Sequence, residues 1–500
     1  YSIAKVNGYQ TEHGLEKNWK TLLKNQFHDI LPGSCVHDVY LDAVQDYEDL
    51  KANLAEIEND IFQFISNIIT TNDENFFLFN PLTFKYDSLI ELKLPQKSNN
   101  ITALEVDAKK YPVQKENDSI YFKLDDFKSL SFKKIKLLDN VNEHYLTNLS
   151  SNRYHLENNY LKLSLDKKGQ IKSIYDKEKE IEYIPKGSKA NQLKLYDDKS
   201  TYFDAWDISI SEQNKKVIDD ITSIKVNNTG PYYHSIKIKR NFYNSTITQE
   251  IIMYDDDRKI DFKTNVDWQE NQKLLKKIKN INIKNSQALF DLSMGHIKRA
   301  NYKNTAWEKA KTEVPAHKWV NLNNNDISVS LLNDCKYGHQ VDENVINLTL
   351  LKSGIFPDPQ ADLGEHEFTY SLLLSPQPKD IINIEQKALM MNNKPTLIQP
   401  SEKKEKNNNK RQFNKPFDII NDNVTLDAFK TAENKNGYIM RVHEIKGISS
   451  NLEIAFYQDI KEIEETNLIE NKIKTLNPKN NKIQVKIDPF EIKTFKVVFV

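Results

Sequence analysis

The sequence predicts an α+β multidomain protein in which an N-terminal helical bundle is followed by large antiparallel β-sandwich domains. Apolar residues recur at helical spacing over residues 1–70, and short runs of alternating polarity dominate from residue 76 onward. A polar stretch interrupts these runs at residues 401–412. With 500 residues, of which 38% are hydrophobic, the chain is long enough for about three domains that each have a core.

A long helix is predicted by an apolar repeat that alternates steps of four and three residues. The repeat consists of Val36, Tyr40, Ala43, Tyr47, Leu50, Leu54, Ile57, Ile61, Phe64 and Ile68. Such a heptad seam predicts a helix of about 34 residues, roughly 50 Å long. Because a seam of this length needs partner helices, and apolar positions before residue 28 supply at least one, we expect residues 1–71 to form an antiparallel bundle.

The turn before this helix carries His28 and Asp29. Residues 25–34 read Asn-Gln-Phe-His-Asp-Ile-Leu-Pro-Gly-Ser, so the pair should lie at the C-terminal end of a short helix, and Ser34 can cap the long one. Unpaired carbonyls at a helix C-terminus favour a cation, whether imidazolium or bound metal. A histidine at a helix end is also a common capping or core residue, so these two residues alone leave both roles open.

The rest of the chain has the pattern of β domains. Residues 75–148 predict a small antiparallel β domain, beginning with the apolar strand Phe76–Phe79. Residues 152–400 predict a large β-sandwich, in which Leu161, Leu163 and Leu165 alternate before a turn at residues 166–169 and a returning strand. Residues 413–500 predict a C-terminal β domain. The stretch 401–412 has too few apolar residues to bury a core and is predicted to be a linker or a long loop.

Composition narrows the classes of partner. A net charge of −1 argues against nucleic acid or an anionic membrane, and no apolar run approaches the roughly 18 residues that a membrane-spanning helix needs. Two cysteines, Cys35 and Cys335, do not make a disulfide framework and fit a reducing compartment. We therefore expect a cytoplasmic protein, with a vacuolar or lysosome-like location as the alternative. The sequence leaves a homo-oligomer open.

The turn and several later segments together resemble one family. Gln-Phe-His-Asp-Ile-Leu-Pro-Gly-Ser, followed by Val-Tyr, Asp-Ala and Asp-Tyr, is similar to the middle-domain signature of the α-mannosidases of glycoside hydrolase family 38. Further segments resemble the cytosolic and vacuolar branch of that family in the same order along essentially the whole chain. They lie at residues 193–199, 203–208, 266–268, 316–319, 331–338, 357–366, 422–424, 430–433 and 489–495.

The resemblance implies a zinc-dependent enzyme that hydrolyses α-mannosides of oligosaccharides with retention of configuration. In this family the histidine of the turn motif ligates the active-site zinc and the following aspartate binds mannose hydroxyls, which assigns these roles to His28 and Asp29. The family begins with an α/β catalytic domain that has no counterpart in this sequence. The catalytic nucleophile, the acid/base residue and the remaining zinc ligands are therefore expected upstream of Tyr1, and no catalytic residue is assigned within the chain.

Two other polar groups within the resembling segments are candidate substrate contacts. Trp206 could stack on a sugar ring while Asp204 binds hydroxyls, although a tryptophan in a β domain is equally often a core residue. Asp362 and His366 could contact substrate, but the prolines and glycine around them indicate a loop whose polar groups often only cap turns. All four residues are tentative substrate-binding residues.

Two alternative functions follow from the same sequence. A non-catalytic β-sandwich protein that binds carbohydrate or a partner, with its helices as a stalk, would explain the absence of an assigned nucleophile. A zinc ligand at the turn has no purpose in such a module, and the motif around His28 therefore favours the hydrolase. A hydrolase of a different mannosyl compound, such as mannosylglycerate, also fits the sequence.

Overall fold

The computed structural model of the chain describes residues 1–11, 14–69, 76–93, 101–139, 146–200, 202–284, 286–399 and 413–500. Strands dominate, and they pair antiparallel. The predicted linker at 401–412 lies outside the described residues. Among those that are described, no helix is both long and apolar enough to cross a bilayer.

Three helices begin the chain, and the first seven strands form two small sheets. The helices are α1 (Ser2–Val6), α2 (Glu16–Lys24) and α3 (His37–Ile69). The strands are β1 (Phe76–Phe79), β2 (Tyr86–Lys93), β3 (Ile101–Val106), β4 (Lys109–Pro112), β5 (Gln114–Glu116), β6 (Ser119–Phe127) and β7 (Phe132–Asp139). One sheet has the order β2-β6-β5, and the other contains β1, β7, β3 and β4 together with a strand from much later in the chain.

The large sandwich occupies the middle of the chain. Its strands are β8 (Ser150–Asn152), β9 (His155–Glu157), β10 (Leu161–Leu165), β11 (Ile171–Asp176), β12 (Ile181–Glu182), β13 (Ala190–Asp197), β14 (Lys215–Val217), β15 (Ile221–Thr229), β16 (Tyr233–Phe242), β17 (Ser245–Tyr254), β18 (Lys259–Trp268), β19 (Lys273–Asn280), β20 (Gln287–Leu292), β21 (Gly295–Arg299), β22 (Val314–Pro315), β23 (Trp319–Asn323), β24 (Ser328–Asn333), β25 (Gly338–Asp342), β26 (Val345–Ser353) and β27 (Gly364–Ser375). They form an eleven-stranded and a nine-stranded sheet that enclose one apolar core. The hairpin that the sequence predicts after Leu161 is confirmed, since Leu163 pairs with Ile174.

Short helices and a returning strand complete this region. They are a 3-10 helix at Glu212–Asn214, α4 (Ala306–Ala310), α5 (Ile381–Asn392) and the strand β28 (Thr396–Ile398). Strand β28 pairs with β1, so that Ile398 lies opposite Phe77 in the first small sheet. The chain therefore returns to the small β domain after it has built the large sandwich.

The last region is a second, smaller sandwich. Its strands are β29 (Phe417–Ile419), β30 (Val424–Thr431), β31 (Tyr438–Glu444), β32 (Ser450–Phe456), β33 (Ile460–Thr466), β34 (Lys472–Thr475), β35 (Lys482–Ile487) and β36 (Ile492–Phe499). They form a three-stranded and a five-stranded sheet around a separate apolar core.

The arrangement of the N-terminal helices differs from the predicted bundle. The long helix is present with 33 residues, close to the predicted length, but the structure does not support a helical bundle around it. Among the described helices, α1 and α2 contact α3, and the buried seam residues are mainly Ile57 and Ile61 in its second half, where they pack with α1, β1 and β28. Val36, Tyr40 and Leu54 of the predicted seam are exposed. These three of the ten seam positions are thus left uncovered by the described residues.

Candidate functional site

The His28–Asp29 turn lies between α2 and α3, a few residues beyond the end of α2. Asn25, which is almost fully buried, fixes the start of the turn, because its side-chain amide donates to the Thr21 carbonyl at 3.0 Å and to Asp46 Oδ2 of α3 at 2.9 Å. The Ser34 amide N–H donates to the Asp29 carbonyl at 3.0 Å and closes the turn. Asn25 and Ser34 therefore hold the two ends of the turn in place.

The two predicted site residues point outward from this frame. The His28 side chain is 68% exposed, packs its ring against Phe27 at 4.2 Å between centroids, and has Nε2 3.6 Å from Asp29 Oδ2. The Ser34 hydroxyl donates to Asp29 Oδ1 at 3.4 Å, and this contact replaces the helix cap predicted for Ser34. An exposed imidazole beside a carboxylate can bind a cation or donate a hydrogen bond to a ligand.

The loop between β26 and β27 contacts the start of α3. His37 Nδ1 lies 3.1 Å from Asp358 Oδ2, and the Asp358 carboxylate is nearly buried. Burial raises the pKa of the Cys35 thiol, and the negative charges of Asp358 and Asp29 raise it further. The carboxylates of the turn and of this loop thus both lie near the Cys35 thiol. Sequence reasoning missed the pairing of His37 with Asp358, because no local pattern links residues that are 321 positions apart.

Asp204 is buried and holds this loop in place. Its carboxylate accepts hydrogen bonds from the backbone N–H groups of Ile355 and Phe356, both at 3.0 Å. Burial opposes ionisation, but these N–H groups outweigh it and keep the pKa of the Asp204 carboxyl below its usual value. Gly354 permits the approach, because a Cβ at that position would lie 2.8 Å from Asp204 Oδ1. This geometry gives Asp204 a structural role, and its contact with substrate stays a prediction.

Trp206 lies on the surface. Its side chain is 55% exposed, so the alternative that it is a core residue is wrong. With Tyr202 and Phe203 it lines an open concavity of about 480 Å³, and the Phe203 ring packs against Phe356 at 5.3 Å. The loop that carries Asp358 therefore joins this aromatic surface to the start of α3.

Asp362 and His366 are neighbours, but their side chains do not meet. The His366 imidazole bonds through Nε2 to the backbone carbonyl of Asp362 at 2.7 Å. Asp362 is exposed at the surface, although partial desolvation by surrounding atoms raises the pKa of its carboxyl. Over the ranges that the structure covers, no group of three or more His, Cys, Asp or Glu side chains is placed to hold a metal ion. Asp362 in the loop and His366 in β27 therefore do not form a metal site by themselves.

An apolar surface surrounds the His28–Asp29 turn. It consists of the exposed side chains Trp19, Leu23, Phe27, Leu31, Val36 and Tyr40, and it is called the apolar face below. These residues lie on α2, in the turn and at the start of α3, on both sides of His28 and Asp29 along the chain. Exposed apolar side chains that cluster in sequence in this way are candidates for covering by protein.

Comparisons with known proteins match this architecture segment by segment. Three family models match in order, namely the alpha mannosidase middle domain at residues 3–65, the glycosyl hydrolases family 38 C-terminal domain at 156–360, and the glycosyl hydrolases family 38 C-terminal beta sandwich domain at 423–495. The chain belongs to glycoside hydrolase family 38. It corresponds to the middle and C-terminal domains of that family.

Relatives of this family 38 chain are α-mannosidases. Alpha-mannosidase G of Dictyostelium discoideum is 27% identical over 99% of this chain and 49% of the relative, and mouse Alpha-mannosidase 2C1 is 26% identical over 97% and 45%. The chain thus spans about half the length of the curated relatives it matches. The crystal structure of an alpha-mannosidase from Enterococcus faecalis shares the fold, with a TM-score of 0.82 at 16% identity over 99% of this chain and 64% of that one.

Proposed function

We propose that this chain is the middle and C-terminal part of a retaining, zinc-dependent α-mannosidase that removes terminal α-mannosyl residues from oligosaccharides. The observation that carries the proposal is the exposed His28–Asp29 turn within a segment that matches the alpha mannosidase middle domain. The relatives matched over nearly the whole chain are α-mannosidases, and this supports the substrate class.

The apolar face is the surface on which we place the catalytic region of the whole protein. The relatives are about twice as long as this chain, and the exposed seam residues Val36 and Tyr40 of α3 follow directly after the turn. Covering apolar side chains removes their area from water at roughly 25 cal/mol per Å². A domain packed there would also bring its own polar residues next to His28 and Asp29.

The residues present fit one part of a zinc site. His28 offers an accessible imidazole nitrogen, and catalytic zinc has about three protein ligands and an open position for water or substrate. Because His28 belongs to no group of three or more metal-binding side chains in the described residues, the remaining ligands would come from the catalytic region. Zinc bound there would supply Lewis-acid chemistry and a template for the sugar hydroxyls.

Asp29 binds the same sugar in this proposal. Its carboxylate is an acceptor for hydroxyl hydrogen bonds, and the Ser34 hydroxyl orients it. The two catalytic carboxylates of a retaining glycosidase lie about 5–5.5 Å apart, and we place both in the region outside this chain. Trp206, Asp362 and His366 would contact sugar units farther along the oligosaccharide, with Asp204 fixing the loop that carries Asp362.

The test uses two substitutions in the whole protein. His28→Ala should reduce bound zinc and mannosidase activity together, because one of very few ligands is lost. Asp29→Asn should leave zinc bound and lower turnover, because only hydrogen bonds to the sugar are changed. Zinc is measured by metal analysis and activity with an aryl α-mannoside. Unchanged zinc and full activity in His28→Ala would refute the ligand assignment.

We also propose a cytoplasmic location. Cys35 and Cys335 are both free thiols in the structure, as expected of a protein in a reducing compartment. A homo-oligomer stays a prediction, and sedimentation of the whole protein would test it.

A further inference from the structure

A polar cleft of about 390 Å³ lies where the small β domain, the large sandwich and α5 meet. Its volume falls in the range of about 300–1,000 Å³ that is usual for small-ligand sites. None of its lining residues belongs to the His28–Asp29 turn or to the loops that carry Trp206 and Asp362. The cleft is therefore separate from the candidate functional site.

Two sheet faces form the walls of the cleft. On one wall Glu91 of β2 lies opposite Tyr121 of β6 in the strand register. On the other wall Lys259, Asp261 and Lys263 alternate along β18 and so share one face, because successive side chains of a strand point to opposite sides. The opposite face of β18 contributes to the core of the large sandwich. Two polar faces thus oppose each other across a gap that apolar packing has not filled.

The charged groups on these walls already neutralise one another. The Glu91 carboxylate accepts from the Tyr121 hydroxyl at 2.9 Å and from Lys394 Nζ at 2.8 Å. Asp261 accepts from the Tyr254 hydroxyl at 2.5 Å and from Lys259 Nζ at 2.9 Å. The other lining lysines also have a carboxylate within 4.0 Å, as the pairs Lys123–Asp256, Lys263–Glu91 and Lys387–Asp257 show.

The pairing of every lining lysine with a carboxylate determines which class of ligand fits the cleft. An anion would have to compete with carboxylates for every lysine of the cleft, and a metal ion has no ligand group of three or more suitable side chains in the described part of the chain. A neutral molecule rich in hydroxyls avoids both problems, because each hydroxyl donates to a carboxylate and accepts from an ammonium or phenol group. The partly exposed rings of Tyr86 and Tyr254 supply apolar surface beside these groups, whereas Tyr121 and Tyr233 are packed in the core of the small β domain.

We propose that the cleft is a carbohydrate-binding site, in which Glu91, Asp261 and Lys263 bind the hydroxyls of a neutral sugar and the tyrosines contact its apolar surface. The cleft is open to solvent next to Lys394, whose side chain is exposed. The site requires no hydrolysis, and it does not rest on the proposed mannosidase function. Its position between two domains means that a bound sugar would also fix how they pack.

The test is isothermal titration calorimetry of the 500-residue chain with an α-linked mannotriose, with maltotriose and with sodium phosphate. We expect at least one of the two trisaccharides to bind and phosphate to give no heat of binding. Glu91→Gln should weaken the binding about tenfold, because a charge-assisted hydrogen bond is lost. Met391→Trp on α5 should also weaken the binding, because the larger side chain fills the cleft. This variant does not alter strand β2, so it tests the site even if Glu91→Gln does not fold.

Glu16→Gln on the exposed surface of α2 is the matched control, because it makes the same change outside the cleft, and we expect it to bind the trisaccharide with unchanged affinity. Three results would overturn the proposal: neither trisaccharide binds the wild-type chain, phosphate binds in their place, or both cleft variants retain wild-type affinity. Loss of binding in Asp29→Asn with retention in the cleft variants would place the sugar at the His28–Asp29 turn and would also overturn it.

Discussion

At the scale of single residues, the core of the large sandwich contains two lysines without a carboxylate partner. Lys277 and Lys279 of β19 are fully buried, and their ammonium groups have no hydrogen-bond partner among the described residues. Both lie about 5 Å from the ring centroids of Phe262 and Tyr370. Burial lowers the pKa of each well below its usual value, and the neighbouring Lys279 adds to the effect at Lys277.

The first prediction is that Lys277→Met stabilises the chain. A methionine of similar length removes the cost of burying an amine, so the free energy of unfolding should rise by about 1–3 kcal/mol at pH 7. In the wild type the unfolded lysine holds a proton up to about pH 10.4, whereas the folded one loses it earlier. The unfolded state thus binds more protons, and stability should rise with pH towards that value. Lys277→Met should show a smaller rise.

Denaturant unfolding at pH 7 and pH 9.5 measures both effects. Lys276→Met on the same strand is the matched control, because Lys276 forms an ion pair with the nearly buried Glu313. Removing that partner should cost stability instead of adding it. A Lys277→Met chain that is less stable than the wild type at both pH values would show that the ammonium is stabilised in the core.

The second prediction concerns Asp204. Asp204→Ala should destabilise the chain by about 1–3 kcal/mol, because the buried N–H groups of Ile355 and Phe356 lose their acceptor. Asp204→Asn should cost less, since one carbonyl oxygen remains. The exposed neighbour Asp207 is the control, and Asp207→Ala should change stability by less than about 0.5 kcal/mol. Equal thermal stability of Asp204→Ala and Asp207→Ala would contradict the structural role.

At the scale of elements, the apolar repeat of α3 predicted its length but not its surroundings. A heptad pattern indicates which side of a helix is to be covered, and it carries no information about what covers it. Ile57 and Ile61 pack on α1 and on strands β1 and β28, while Val36 and Tyr40 of the same repeat are exposed. The candidate site shows the same contrast between local pattern and surroundings. His28 and Asp29 were predicted from a local motif, but the contact of His37 with Asp358 depends on long-range packing and could not be predicted.

The third prediction tests the apolar face. Phe27→Ser combined with Leu31→Ser should change the stability of the 500-residue chain by less than about 1 kcal/mol, because both side chains are already exposed. The double variant should bind a separately expressed upstream region more weakly than the wild type does. Binding is measured by size-exclusion chromatography and fluorescence titration.

The control for the apolar face is Ile61→Ala in the buried half of α3. It should lower the free energy of unfolding by about 2–5 kcal/mol. Binding of the upstream region that is unaffected by the double variant would mean that the apolar face is not its docking surface.

At the scale of the whole molecule, the regions that the sequence separates are joined in space. Strand β28 returns from the large region to pair with β1. Tyr232, Tyr233 and Ile252 of the large region also pack into the core of the small β domain. Alternating polarity predicted the strands, and the family resemblance predicted the order of the segments along the chain. Neither indicates which strands pair when they lie more than 300 residues apart. We therefore expect the small and large β regions to unfold together.

The last prediction is that the 500-residue chain folds alone and hydrolyses no aryl α-mannoside. Folding is expected because the large sandwich, the small β domain and the C-terminal sandwich each enclose an apolar core formed by the chain itself. Inactivity is expected because a retaining mechanism needs a nucleophile and an acid in one site, and we place both outside this chain. Tight zinc binding should also be missing, since a single histidine is a poor metal site.

The chain is assayed with and without the separately expressed catalytic region, and zinc is measured in each sample. Zinc-dependent hydrolysis that appears only on mixing would support this division of the site. Robust hydrolysis by the chain alone would mean that the catalytic carboxylates lie among its own residues, and the roles proposed for His28 and Asp29 would then have to be reassigned.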